Sequence, residues 1–86
     1  MVNRNRIDII IQILQIADRG GATKTKIFYE AFLNYEQLKE YLIILIDSGL
    51  LSYDSTMCTI KTTEKGLTLL QAYNQIDQIL KEQQKI

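Results

Sequence analysis

The residues that could do chemistry are few. The 86-residue chain contains no histidine and a single cysteine, Cys58. It therefore lacks the base–nucleophile pairs and the ligand clusters that covalent catalysis or a zinc site needs. No glycine-rich phosphate loop is present. The carboxylates are isolated or stand beside lysine at helical spacing, as Glu36 and Glu40 do around Lys39, so nothing points to paired-carboxylate catalysis. An enzyme is not expected, nor are a metal, a cofactor or a small-molecule ligand. What remains is ionic chemistry. Ten Lys and Arg balance ten Asp and Glu, which leaves no global field to attract a polyanion. The charges are unevenly placed, however. Arg4, Arg6, Arg19, Lys24 and Lys26 are opposed in the first third only by Asp8 and Asp18, and a local basic patch is expected there.

The length and the 47% apolar content suit one compact domain with a small core. A second copy of the chain could supply part of the missing burial. Cys58 has no internal disulfide partner, and the apolar run IDIIIQIL at residues 7–14 is far too short to cross a bilayer. A soluble cytoplasmic protein without membrane contact is expected.

The elements that must position the charges can be read from periodicity and caps. Ile7, Ile10, Ile11, Leu14 and Ala17 form one helical stripe, which Ile9, Ile13 and Ile16 widen. A first helix buried on two sides is predicted, stopped by Gly20 and Gly21. Thr23 caps a short second helix, Lys24 to Phe32, with Ile27, Phe28 and Ala31 inward. Asn34 and Gln37 form a capping box for a third helix, whose inward stripe is Leu38, Tyr41, Leu42, Leu45 and Ile46. Gly49 followed by Leu50 predicts a Schellman-type ending. The period then changes to two. Leu51 and Tyr53, then Cys58 and Ile60, alternate with polar residues, which predicts a hairpin turning near residues 54–57. Thr63 caps a last helix running from Glu64 to beyond Glu82, about 30 Å of helix. Along it Leu69, Tyr73, Ile76 and Leu80 are spaced four, three and four, the rhythm of a coiled-coil seam.

Helix, helix, turn, helix and hairpin is the order of a winged helix. The segments YEQLKEYLIILIDSGLL and T-E-K-G, within a stretch from about residue 6 to residue 80, resemble the small archaeal winged helix-turn-helix family of transcriptional regulators. The resemblance implies a mainly α fold with a small β-hairpin, a winged helix-turn-helix domain over residues 1–63, and a C-terminal dimerisation helix over residues 64–86, forming an antiparallel coiled-coil dimer. It implies double-stranded DNA as partner and a nucleoid-associated location. The DNA-facing positions carried over are Thr23, Lys24 and Lys26 at the start of helix two, Tyr35, Gln37 and Lys39 in helix three, and Lys61 on the wing. A helix start offers free N–H groups to phosphate, Gln37 could bond an adenine edge, and Lys39 a guanine. The dimer seam would be Leu69, Tyr73, Ile76, Ile79 and Leu80.

Each assignment has a plainer counterpart. Lys24 and Lys26 could be solvated charges, and Gln37 could serve only its capping box. Tyr29, Tyr35, Tyr41 and Tyr53 are expected to pack, and Cys58 to be a buried strand residue. At least one of Ile43 and Ile44 must be exposed or covered by a partner. Gly66, in the first turn of a helix, costs about 1 kcal/mol relative to alanine, which the close approach of another backbone would explain. Glu36, Glu40 and Asp47 on the outward face of helix three would repel phosphate. A winged-helix protein-interaction module that does not bind DNA is therefore the alternative reading.

Overall fold

The computed structural model describes residues 5–83; Arg4 and the tail residues 84–86 lie outside them. The order is α1 (Arg6–Asp18), α2 (Lys24–Ala31), α3 (Tyr35–Asp47), β1 (Leu51–Asp54), β2 (Thr59–Thr62) and α4 (Glu64–Gln83). The two strands form an antiparallel hairpin that pairs Leu51 with Thr62 and Tyr53 with Ile60.

Helix α1 is central, packed by α2, β2 and α4, so its wide apolar face is covered by the chain itself. Ile9, Ile11, Ile13, Leu14 and Ala17 are buried there. Ile7, expected in the stripe, stands in the first turn and is exposed among the described residues. That turn is closed by a capping box the sequence reading missed: the Asp8 N–H donates to Asn5 Oδ1 at 2.8 Å and the Asn5 N–H to Asp8 Oδ2 at 3.4 Å.

The expected caps of the next two helices are present. The Lys26 N–H donates to Thr23 Oγ1 (3.1 Å), and the Gln37 N–H to Asn34 Oδ1 (2.8 Å), with Gln37 Oε1 accepting from the Asn34 N–H (3.3 Å). Helix α2 ends at Phe32, which lies in the left-handed region (φ 54°). At the end of α3 the Leu50 N–H reaches the Leu45 carbonyl (2.9 Å) and the Gly49 N–H the Ile46 carbonyl (3.0 Å), the paired bonds of a Schellman ending. Leu38, Leu42 and Leu45 form the buried stripe of α3 and Tyr41 is half-buried, but Ile46, Ile43 and Ile44 are exposed.

One connection joins elements that sequence periodicity could not pair. Ala22, between α1 and α2, exchanges both backbone hydrogen bonds with Ile60 (2.8 and 2.7 Å), making a one-residue third strand beside β2. The turn of the hairpin spans residues 55–58, where Asp54 Oδ1 accepts from the N–H groups of Thr56 and Met57. Cys58 is in this turn at φ 52° and exposed, not in a strand and not buried. Tyr53 is exposed too.

The start of α4 is fastened to the end of α3. Thr63 Oγ1 accepts from the Gly66 N–H (3.1 Å) and donates to the Gly49 carbonyl (2.6 Å), while the Thr63 N–H donates to the Leu50 carbonyl (3.1 Å). Gly66 is the close approach its position suggested: a Cβ there would stand 2.5 Å from the Leu50 oxygen. Leu67, Leu70 and Tyr73 of α4 join the core, whereas Leu69 and the distal Ile76, Ile79 and Leu80 are exposed. No helix among the described residues is long and apolar enough to cross a membrane.

Candidate nucleic-acid interface

With Leu38, Leu42 and Leu45 turned inward, helical spacing fixes what α3 shows to solvent. Its outer crest carries Glu36, Glu40 and Asp47, together with Ile43, all exposed. Tyr35, Lys39 and Ile46 lie along the edge that faces the start of α2 and the hairpin. Between these elements runs an open cleft of about 580 Å³, whose lining includes Thr23, Lys24, Lys39, Ile43, Ile46 and Tyr53. Beside it a smaller hollow of about 260 Å³ is lined by Lys24, Thr25, Phe28, Tyr29, Tyr35 and Leu38. Lys24 borders both.

The structure thus gathers Thr23, Lys24, Tyr35 and Lys39 on one surface, and among the described residues every charged side chain lining the two hollows is a lysine. The other expected site residues lie elsewhere. Lys26 follows Lys24 by two residues, a rotation of about 200° around the helix. It lines a separate hollow with Asp18, Arg19 and Glu30, and its Nζ stands 3.9 Å from Glu30 Oε2. The anchor expected from Lys24 and Lys26 together is therefore split between two faces. Gln37 lies toward α1 with Arg6, Glu40 and Tyr41, and its amide oxygen is engaged in the capping box. Lys61 lies across Gly21, with Cγ 2.8 Å from where a Gly21 Cβ would be, at the base of the hairpin. It lines neither hollow.

A model of the winged helix-turn-helix family matches residues 3–81. The chain belongs to that family. Among solved structures, Sso10a-2, described as a DNA-binding protein from Sulfolobus solfataricus, shares the fold with a TM-score of 0.75 and 24% sequence identity, over 92% of this chain and 84% of that chain. No curated protein matches the sequence. In this winged helix α3 occupies the place of the recognition helix and the hairpin that of the wing.

The wing contributes residues the sequence reading placed in the core. Tyr53 and Cys58 come together near its tip and both line the larger cleft. The Tyr53 phenol is raised above its ordinary value, first by the electrostatic influence of Cys58 and then by a hydrogen bond with that thiol, with lesser contributions from desolvation and Asp54. For these wing residues the sequence carried no direct signal; on the facing side of α3, Ile43, off the buried stripe and exposed, marked a surface left uncovered. Among the described residues no group of three acidic, cysteine or histidine side chains could hold a metal ion.

Proposed function

We propose that this winged helix binds duplex DNA as a homodimer, acting as a transcription regulator or minor chromatin protein of the cytoplasmic nucleoid. The observation that carries the proposal is the convergence of Thr23, Lys24, Tyr35 and Lys39 at the start of α2 and the adjoining edge of α3. The likeness of the fold to a DNA-binding protein supports it. The free N–H groups of the first turn of α2 and the Lys24 ammonium would receive phosphate. Lys39 would reach the groove from the edge of α3, which keeps Glu36 and Glu40 turned away from the backbone. Lys61 would touch flanking phosphate from the wing, and Lys26 and Gln37 would contribute little.

Pairing of the distal part of α4 would hold two such units together. Leu69, Ile76, Ile79 and Leu80 are exposed and apolar, and covering them would contribute roughly 25 cal/mol per Å² buried. Tyr73, already half-buried in its own subunit, would border that seam. One observation favours a second reading: the acidic crest of α3 in a chain of zero net charge suits a protein-interaction module.

A gel-shift assay on mixed-sequence duplex DNA at low and moderate salt tests the proposal. Retardation that weakens with salt is expected. Its absence at about 100 µM protein, the weak end of ordinary non-specific affinity, would overturn duplex binding in favour of the second reading.

A further inference from the structure

Of the chain's five tyrosines and two phenylalanines, Phe28, Tyr29, Phe32 and Tyr35 fall within eight residues that span the end of α2 and the start of α3. Phe28 packs against the core, but the other three stand outside it. Tyr29 is 68% exposed and Tyr35 59%. Phe28 is half-buried and meets the Tyr29 ring edge to face, centroids 5.3 Å apart and planes at 81°, a geometry that aromatic pairs prefer. Tyr29 from α2 and Tyr35 from α3 border the same hollow, whose floor is Phe28 and Leu38 and whose only charged member among the described residues is Lys24.

At about 260 Å³ the hollow is smaller than the sites that enclose drug-sized ligands. Its chemistry suits a flat ring carrying an anionic group. A base inside a duplex cannot offer its face to these tyrosines, because both of its faces are already stacked. An unpaired base can, and single-stranded sites combine aromatic faces with cations along the backbone in this way.

We propose that the α2–α3 hollow receives an unpaired base of single-stranded DNA, stacked against Tyr29 and Tyr35, with a neighbouring phosphate on Lys24. The inference rests on the nucleic-acid reading for its class of partner. It shares Lys24 and Tyr35 with the duplex surface but not Lys39 or the wing, and what separates the two is the unpaired base and its stacking on Tyr29.

The test is titration of the full chain with oligo-dT of about 12 nucleotides, within the range of single-strand site sizes, read by quenching of tyrosine fluorescence. An abasic strand of equal length and charge, an oligo-U strand and a duplex serve as comparisons. Binding of oligo-dT at least tenfold tighter than of the abasic strand is expected. Tyr29→Leu and Tyr35→Leu should each lose about tenfold, as loss of one stacking partner does, and Tyr35→Phe should retain binding. Both tyrosines are exposed, so thermal melting should find these variants folded. Equal binding of oligo-dT and the abasic strand, or full binding by both Leu variants, would overturn the inference. Tighter binding of oligo-U would overturn the assignment to DNA. Duplex bound without oligo-dT refutes this inference alone, oligo-dT bound without duplex refutes duplex docking alone, and binding of neither removes both.

Discussion

Replacing Gly66 by alanine asks whether the close packing of α4 on the end of α3 holds the winged helix together. The new Cβ would stand 2.5 Å from the Leu50 carbonyl oxygen and 2.6 Å from Thr62 Cγ2, where non-bonded carbon atoms ordinarily rest at about 3.5–4.0 Å. Neither neighbour is the free end of a flexible chain. The Leu50 oxygen accepts from the Thr63 N–H at 3.1 Å, and Thr62 is held by donation from its Oγ1 to the Leu14 carbonyl at 2.7 Å. A retreat of about 1 Å stretches both bonds and the 2.6 Å bond from Thr63 Oγ1 to the Gly49 carbonyl. Alanine gains about 1 kcal/mol of helix propensity over glycine. Against this stand about 1–3 kcal/mol for overpacking and about 2 kcal/mol in all for three hydrogen bonds that are stretched but not broken, each contributing about 0.5–1.5 kcal/mol when intact. A net loss of about 2–4 kcal/mol is expected. The whole stability of a chain this size is on the order of 4–13 kcal/mol, and a loss of that size would lower the melting temperature by about 10–25 °C. Circular dichroism on heating, with urea titration, measures it. Gly20→Ala is the comparison: it meets nothing within 4 Å but has φ +77°, so only the backbone cost of about 1 kcal/mol applies. If Gly66→Ala melts at or above the wild-type temperature, α4 has room to move and the reasoning fails.

Phe32 stands in the left-handed conformation while 80% exposed. Phe32→Asn should therefore raise stability by up to about 1 kcal/mol, and a lower melting temperature would mean that the ring contributes packing. Lys24→Ala with Lys39→Ala should reduce the salt dependence of duplex binding by about two units of log–log slope. Lys26→Ala, whose ammonium faces Glu30 on the other side of α2, should leave that slope unchanged; the reverse pattern would move the interface to the α1 face. Ile76→Glu with Leu80→Glu would place like charges on the exposed strip of α4 and should give a monomer by sedimentation, with weaker DNA binding through lost avidity. A wild-type chain that sediments as a monomer at tens of micromolar, where weak dimers ordinarily form, would remove the two-fold arrangement.

Much of the architecture was legible because helix ends are local events. Thr23, Asn34 with Gln37, Gly49 and Thr63 each act on groups within about five residues, so residue type and spacing determine where α2 begins and where α3 begins and ends. The change of period after Gly49 likewise announces the hairpin before any neighbour is known. Even Gly66 signalled a close approach, since a helix tolerates glycine in its first turn at a cost. That the approaching group is the Leu50 carbonyl depended on the fold. Coverage was not legible in the same way. Alternation puts Leu51 and Tyr53 on one face of β1, but only the outward reach of the hairpin makes the first buried and the second exposed. A chain pattern states which way a side chain points, whereas burial depends on what other segments reach that point. The Ala22–Ile60 bridge, the opposed surroundings of Lys24 and Lys26 and the shared hollow of Tyr29 and Tyr35 are all of this second kind. They were decided only when α1 became the element around which the other helices and the hairpin packed, because contacts between distant segments exist only in the assembled fold.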